Sequence, residues 1–246
     1  MINTGIIRFY SLYFTRHIRG LLRSLLRPTV TRIHGVRVPI PDGSSEKYRR
    51  SLYYERHERR LALMIMAKLQ KSDTVLEMGS GRGVLSSLCA KHIGSQRVFT
   101  YEANPALISF IEQVYVMNNV KPTIVNAAVG TQSGTAQFHR SERTDSSSLL
   151  TLDKASDVID VDQVDVNELI HEIKPTFLVV DIEGAEGAVL DVADLDGVRI
   201  IALEVHKGLL GVDGCKKLDV TITSQGFTLN RWLSTSGRKL YERLKQ

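Results

Sequence analysis

The sequence predicts an α/β fold in which helices cover both faces of a mostly parallel sheet. Short segments rich in valine, isoleucine and leucine alternate with helical patterns from residue 74 onward. Several of these segments are apolar throughout, which is typical of parallel strands buried on both faces. A chain of 246 residues that is 43% hydrophobic can bury such a core without disulfides or structural metals. The five predicted strands cover residues 74–78, 97–102, 123–128, 177–183 and 199–205.

Helical patterns connect the predicted strands. They follow the first strand to about residue 91 and then cover residues 105–118 and 166–173. We interpret the long segment 132–162, which lies between predicted strands, as a lid. Beyond residue 226, two segments on either side of a Ser/Thr/Gly turn predict a terminal hairpin.

A distinct N-terminal region precedes the sheet. Between residues 6 and 26, apolar side chains recur at steps of three and four with arginines between them, which predicts an amphipathic helix. Residues 31–42 predict a short strand or hairpin, and a long helical pattern extends over residues 44–70. We therefore divide the chain into an N-terminal region, residues 1–43, and a main domain, residues 44–246.

The positive charge is concentrated in the N-terminal helix. The formal net charge is +5, and residues 1–27 contain five arginines and no acidic residue. The other 219 residues contain 27 basic and 27 acidic side chains and so have no net charge. The charge of the main body therefore gives no general reason to expect nucleic-acid binding. Three roles remain open for the N-terminal helix: it packs on the protein's own body, it contacts an anionic membrane surface, or it serves as an organelle-targeting segment.

Cysteine usage and hydropathy indicate a soluble, cytoplasmic protein. Cys89 and Cys215 lie far apart and form no C-x-x-C pair, so neither a disulfide scaffold nor a thiolate zinc site is expected. No stretch approaches the ~20 apolar residues that cross a bilayer. Arginines interrupt the N-terminal apolar segment too often for a secretory signal.

A glycine-rich turn follows the first predicted strand. Glu77, Gly79, Gly81 and Gly83 lie in the sequence EMGSGRG, where the strand gives way to a helix. Ligands of open α/β sheets bind at the carboxyl ends of the strands, and glycines let the backbone approach them closely. We therefore expect these residues, with Ser80, to bind a nucleoside-type cofactor.

Charge and spacing indicate which cofactor this turn favours. A dinucleotide fingerprint requires G-x-G-x-x-G, whereas Val84 stands where the third glycine would fall. No G-K-[ST] sequence follows, so an ATP phosphate loop is not expected either. The carboxylate of Glu77 repels a pyrophosphate but favours the cationic amino group and sulfonium of S-adenosylmethionine. The turn therefore predicts S-adenosylmethionine.

Glu102 is expected to make a second cofactor contact. It ends the second predicted strand, where a carboxylate can accept hydrogen bonds from both ribose hydroxyls. Alternatively, Glu102 is only a polar strand end and the glycines form a loose turn. The occurrence of both signals at the ends of successive strands favours the cofactor.

The sequence resembles the FkbM-type family of S-adenosylmethionine-dependent methyltransferases. The most specific match is DIEGAE at residues 181–186. Relatives often have Asp-x-Gly-Ala-Asn where this chain has Glu77, Gly79 and Ser80, and the acid is kept. The matching segments, in the family's order over roughly residues 50–206, are Tyr54-Glu55, VLEMGSGRG, YEANP, NAAVG, Ser146 to Ser148 with Leu149, VVDIEGAE and ALEVH.

The resemblance implies the seven-stranded, Rossmann-like class I methyltransferase fold and methylation of a hydroxyl on a small molecule or glycan. It also extends the expected cofactor contacts to Ala103, Asn126, Ala127 and Asp181. The N-terminal helix lies outside the resemblance. Two other functions stay open: methylation of a protein or RNA, and a membrane-associated, non-catalytic protein that retains the cofactor fold.

Three acids and a histidine follow the fourth and fifth predicted strands. Asp181 and Glu183 are two residues apart, as are Glu204 and His206, so each pair points to one side of an extended backbone. If these strands are neighbours, as the resemblance implies, all four groups converge beside the transferred methyl. We expect Asp181 to be the catalytic base, with His206 as the second candidate and Glu204 as a further one.

The same residues have two other interpretations. Mg²⁺ held by Asp181, Glu183 and Glu204 is one hypothesis, because carboxylate oxygens are its preferred ligands. In the other, Asp181 and Glu183 cap a helix that begins near Gly184, and His206 is an ordinary polar strand end.

Overall fold

The structure is a computed structural model that describes Thr15, residues 17–140 and residues 157–243. The chain forms two compact units, Met1–Arg59 and Arg60–Gln246. The serines at 146–148, which the family resemblance includes, lie outside the described residues. No helix within the described part of the chain is both long enough and apolar enough to cross a membrane.

The first unit contains a helix, a hairpin and a second helix. β1 and β2 pair in antiparallel fashion, and the Ser45 hydroxyl accepts a hydrogen bond from the Tyr48 N–H at the start of α2. The amphipathic helix and the short hairpin are therefore confirmed over the described residues. The elements are α1 (residues 17–26), β1 (Val30–Ile33), β2 (Val36–Pro39) and α2 (Glu46–Tyr53).

The predicted helix over residues 44–70 is wrong as a single element. The structure has α2 and a separate helix, α3 (Arg59–Lys68). Glu55 and Glu58 lie between them with φ angles of 53° and 50°. A right-handed helix cannot include such angles, so the chain breaks there.

The second unit alternates strands and helices. Its elements after α3 are β3 (Val75–Met78), α4 (Val84–Ile93), β4 (Val98–Tyr101), α5 (Pro105–Met117), β5 (Thr123–Val125), β6 (Ala128–Gly130), β7 (Gly134–Arg140), β8 (Asp157–Asp165), α6 (Val166–Ile173), β9 (Phe177–Val180), α7 (Glu186–Val192), β10 (Ile200–Glu204), α8 (Lys207–Ser224), β11 (Phe227–Leu229) and β12 (Arg238–Arg243).

Seven strands form one sheet in the order β11-β12-β10-β9-β3-β4-β5. The five strands from β10 to β5 are parallel, and the hairpin of β11 and β12 adds an antiparallel edge. The predicted seven-stranded α/β class and the terminal hairpin are confirmed. Since β9 lies between β3 and β10, the loops after these three strands emerge together at the carboxyl edge of the sheet.

Alternate residues of the central strands pack against helices on opposite faces. Leu76, Leu178 and Ile201 belong to one core with residues of α6, α7 and α8. Val75 and Val179 belong to a second core with residues of α3 and α4. These strands are apolar throughout because both faces are covered.

A smaller sheet of β6, β8 and β7 includes both ends of the segment 132–162, which we interpret as a lid, and residues 141–156 of that segment lie outside the described residues. β7 pairs antiparallel to β8, which also pairs parallel to β6. Val161 and Phe138 pack in a small core, whereas Asp160 and Asp162 face solvent. The alternation of aspartates with apolar residues was therefore a strand signal, although it resembles a solvated acidic segment.

Candidate cofactor and catalytic site

The glycine turn after β3 packs closely against two neighbouring segments. Gly79 has a φ of +82°, and a Cβ there would lie 1.8 Å from the carbonyl oxygen of Asp181. Gly83 has a φ of +70° at the N-cap of α4, and its Cβ would lie 2.8 Å from Ile111 Cγ2. Only glycine satisfies both the angle and the close approach at these two positions.

Gly81 differs from its neighbours because its exposed side is open. Its φ is +54°, yet a Cβ built there would meet no atom within 4 Å. Its N–H donates a 2.8 Å hydrogen bond to Glu102 Oε2, which ties the turn to the end of β4. The carbonyl of Tyr101, the last residue of β4, also accepts hydrogen bonds from the N–H groups of Gly79 and Ser80. The turn is therefore a fixed backbone cradle with free space above Gly81.

The carboxylate of Glu102 is held in place by backbone donors. Besides the bond from Gly81, it accepts a 2.8 Å hydrogen bond from the Asn104 N–H. Burial raises the pKa of Glu102 to about 7; these backbone bonds lower it in part, and the charge of Glu183 adds to the increase. Each carboxylate oxygen can accept more than one hydrogen bond, so the group retains capacity for ribose hydroxyls.

Asn126 connects the ends of β4 and β5. Its Nδ2 donates to the carbonyl of Glu102 at 2.7 Å and to that of Ala103 at 3.2 Å. Ala127, the next residue, is buried. Asn126 therefore lies beside the backbone of Glu102 and Ala103, just after β4.

Glu77 lies beneath the glycine turn and has little exposed surface. Its side chain is 1% exposed, and Thr100 on the neighbouring strand donates a 2.6 Å hydrogen bond to its Oε2. The structure therefore gives this acid a role in joining β3 to β4. Direct contact between Glu77 and the cofactor stays a prediction.

The residues of this edge fit S-adenosylmethionine. The open space above Gly81 admits a ligand, and the prearranged Glu102 carboxylate is the acceptor that a ribose diol requires. The turn also lies beside acids of the β9 loop, which favour the cationic end of this cofactor.

Asp181 and Glu183 lie in the loop between β9 and α7. The Asp181 N–H donates to the Met78 carbonyl at 2.8 Å, and Glu183 has a φ of +48°. The N-cap of α7 is Ala185, so neither acid occupies the capping position. The structure therefore does not support helix capping as the role of these acids.

His206 lies among three carboxylates. It follows β10 at the N-cap position of α8, where its side chain makes no capping bond. Its Nε2 is 3.1 Å from Glu183 Oε2 and 3.6 Å from Asp181 Oδ1, and its Nδ1 makes a short hydrogen bond to Glu186 Oε1. With a carboxylate as the acceptor of this last contact, Nδ1 carries the proton and Nε2 faces the other two acids.

Glu186 was not expected from the sequence to be a site residue. Its side chain has no exposed surface, and its Oε2 has no hydrogen-bond partner among the described residues. A fully buried glutamate is rare unless it is paired. It lies within the DIEGAE segment, but only the packing of α7 brings it to His206.

The charges around His206 make it a stronger base. Burial by itself lowers the pKa of His206, but the hydrogen bond to Glu186 and the charges of Glu183, Glu186 and Glu204 outweigh that effect. The pKa of His206 is therefore raised above the ordinary value of 6.5.

The three predicted magnesium ligands do not form one ligand set. Ligand atoms of Asp181, Glu183 and His206 lie within 4.8 Å of one another, so a nitrogen replaces one expected oxygen. A carboxylate oxygen of Glu204 lies within 4.8 Å of a carboxylate oxygen of Asp181. Glu204 also forms a short ion pair with the guanidinium group of Arg238. Since Mg²⁺ prefers oxygen ligands, the group that contains His206 does not match the predicted set of three carboxylates.

Comparisons with known proteins identify a related family. A family model described as "Methyltransferase FkbM domain" matches residues 77–229, more than half of the chain. A search of curated proteins finds no match.

The chain is also distantly similar to solved structures. One is a ribosomal protein L11 methylase from Lactobacillus delbrueckii subsp. bulgaricus, which is 11% identical to this chain. The match covers 77% of this chain and 80% of that one, with a TM-score of 0.45. These structures also include a precorrin-6y C5,15-methyltransferase from Geobacter metallireducens, with 14% identity and a TM-score of 0.45 over 77% and 88% of the two chains. A third is Aeropyrum pernix fibrillarin with bound S-adenosyl-L-methionine, with 12% identity and a TM-score of 0.42 over 74% and 72%.

Proposed function

Because this chain belongs to the FkbM methyltransferase family, we propose that it transfers the methyl group of S-adenosylmethionine to a hydroxyl oxygen of a small molecule or glycan. One observation carries the choice of a hydroxyl: a histidine at the carboxyl edge of the sheet is hydrogen bonded to a fully buried glutamate. A hydroxyl must lose a proton when its oxygen is methylated, and a positioned base assists that step.

The glycine turn and Glu102 hold the cofactor in this proposal. The backbone of Gly79, Gly81 and Gly83 lines its binding site, and Glu102 accepts hydrogen bonds from the ribose hydroxyls. When bound, S-adenosylmethionine supplies a methyl group that its positive sulfur has already activated. The protein contributes alignment, which can lower the barrier by about 7–11 kcal/mol.

His206 removes the acceptor proton in this mechanism. The acceptor oxygen forms a bond to the methyl carbon as the bond from that carbon to sulfur breaks, and the hydroxyl proton passes to Nε2 of His206. Glu186 stabilises the imidazolium that forms and keeps Nε2 oriented. The geometry favours His206 over Asp181 because the bond to the buried Glu186 holds its ring with Nε2 facing the acids of the β9 loop. Asp181, beside Nε2, is then a neighbouring acceptor that orients the hydroxyl.

Calorimetry tests the cofactor and labelling tests the acceptor. The purified protein is expected to bind both S-adenosylmethionine and its demethylated product, and failure to bind either would refute the enzymatic proposal. A cell extract is then incubated with the protein and methyl-labelled cofactor, with His206→Asn as the control. We expect label in small molecules or glycans as base-stable methyl ethers. Label found only in a protease-sensitive or RNase-sensitive fraction would instead establish the protein or RNA alternative.

Magnesium takes no part in the proposed mechanism. The predicted ligands Asp181, Glu183 and Glu204 are not gathered as one set, and His206 lies within their group as a proton acceptor.

A further inference from the structure

Helix α1 packs within the first unit through its small and polar side. Gly20 is buried, and a Cβ there would lie 2.5 Å from the ring of Tyr54. The His17 ring lies edge-on to the same tyrosine, with 5.4 Å between ring centroids. The helix therefore approaches Tyr54 closely because Gly20 has no side chain.

Arginines on this side of α1 bind groups of the same unit. Arg23 donates to the carbonyl oxygens of Tyr53 at 3.0 Å and Arg32 at 3.1 Å, and it also contacts Glu55. Arg27, just after the helix, forms a 3.1 Å ion pair with Glu46. The polar face of this amphipathic helix is thus the packed face, which is the reverse of the usual arrangement.

The apolar face of α1 is left exposed. At 100° per residue, its five large apolar side chains lie within an arc of about 140° on the side opposite Gly20. Leu25 and Leu26 are 81% and 78% exposed. The face, which we call the leucine face, consists of Ile18, Leu21, Leu22, Leu25 and Leu26.

The unit that carries the leucine face is strongly basic. Residues 1–59 contain twelve basic and four acidic residues, a net charge of +8, whereas the rest of the chain has a net charge of −3. Arg19 is exposed and lies at the border of the leucine face. A wide apolar face combined with positive charge matches a helix that lies in the plane of an anionic membrane surface.

We propose that the leucine face of α1 inserts into the headgroup region of an anionic lipid bilayer and holds the enzyme at the membrane surface. A second copy of the chain is a poorer occupant, because two units of charge +8 repel each other. Burial of the leucines supplies the apolar part of the binding, and the basic unit supplies a part that depends on salt.

Vesicle flotation with the full chain tests this proposal. The wild-type protein is expected to float with phosphatidylcholine vesicles that contain phosphatidylserine, and much less with phosphatidylcholine alone or at high salt. The double variant Leu25→Gln/Leu26→Gln should lower partitioning about tenfold or more, because it removes apolar area at the two most exposed positions of the face. Arg19→Gln should weaken only the part of the binding that depends on phosphatidylserine.

A matched control removes the same number of exposed apolar side chains elsewhere. Val116 on α5 and Val220 on α8 are 76% and 65% exposed, and Val116→Gln/Val220→Gln should float like the wild type. Far-UV circular dichroism establishes that both double variants are folded. The proposal is overturned if the wild type ignores phosphatidylserine vesicles or if Leu25→Gln/Leu26→Gln floats unchanged. It is also overturned if the wild type is a dimer that ignores vesicles and becomes a monomer in that variant, since the occupant is then a second copy.

Discussion

Nδ1 of His206 is hydrogen bonded to Glu186, whose carboxylate has no exposed surface. This contact joins the end of β10 to the first turn of α7 and leaves Nε2 beside Asp181 and Glu183. A histidine oriented through one nitrogen can act as a general base through the other.

His206→Asn should lower kcat by about 10²–10⁴-fold, because the acceptor proton loses its base. Cofactor affinity, measured by calorimetry, should stay within about twofold since His206 makes no cofactor contact in the proposal. His171→Asn, an exposed position on α6, should behave as the wild type. Asp181→Asn, measured in parallel, should lower turnover less. If Asp181→Asn has the larger effect and His206→Asn retains turnover, Asp181 is the base.

Glu186→Gln should move the pH profile of kcat/KM. The hydrogen bond to Glu186 and the charge of Glu186 raise the pKa of His206, so the loss of that charge in Glu186→Gln lowers it. Activity requires neutral His206 and therefore rises with pH through that pKa; in the variant this rise should occur at lower pH. The maximal rate should also fall, because the imidazolium loses its charged partner. If the rate falls but the pH profile of kcat/KM does not move, Glu186 has only a structural role.

Glu102 should couple cofactor binding to proton release. Its pKa is raised to about 7, and hydrogen bonds from ribose favour the ionised form, so affinity should increase as pH rises through 7. Calorimetry in buffers of different ionisation enthalpy measures the released proton.

Glu102→Gln should abolish that release and weaken affinity by about 10–100-fold, the range for a hydrogen bond to a charged group. Glu112→Gln, an exposed position on α5, is the matched control and should change neither quantity. If Glu102→Gln releases as many protons on cofactor binding as the wild type, the proton comes from another group.

Gly79→Ala and Gly81→Ala should have different consequences. The Cβ of Gly79→Ala would lie 1.8 Å from the Asp181 carbonyl oxygen, so we expect a loss of about 3 kcal/mol or more in the free energy of unfolding. Gly81→Ala meets no protein atom and should cost about 1 kcal/mol from its positive φ alone, while the new methyl group occupies the cradle and weakens cofactor binding.

Denaturant unfolding and calorimetry measure the two effects of the glycine substitutions. Gly197→Ala has a positive φ and equally open surroundings outside the cradle, so it should match Gly81→Ala in stability but bind the cofactor normally. Normal cofactor binding by Gly81→Ala would show that the space above this glycine is not the cofactor site.

EDTA should leave turnover unchanged. Asp181, Glu183 and Glu204 are not gathered as one oxygen ligand set, and no step of the proposed mechanism uses a cation. Turnover with and without EDTA, followed by addition of Mg²⁺, measures this. Loss of activity that Mg²⁺ restores would return the predicted magnesium site to the mechanism.

Sequence patterns predicted the strands of the sheet better than the smaller elements. β3, β9 and β10 are continuous apolar segments because helices cover both faces, and such segments are visible without tertiary information. β7 and β8 have one solvated face, so their polar residues made them look like a loop. The break between α2 and α3 depends on two glutamates with positive φ, an angle that glutamate seldom adopts.

The sequence by itself determined which chemical groups lie at the carboxyl ends of the strands, because strand direction and side-chain alternation are local properties. Glu102, Asp181 and His206 follow from such local patterns. Tertiary structure alone decided that Glu186 pairs with His206, that Arg238 neutralises Glu204, and that α1 packs through its polar side. These contacts join elements distant along the chain, so they depend on how helices and strands pack and on which side chains that packing removes from water.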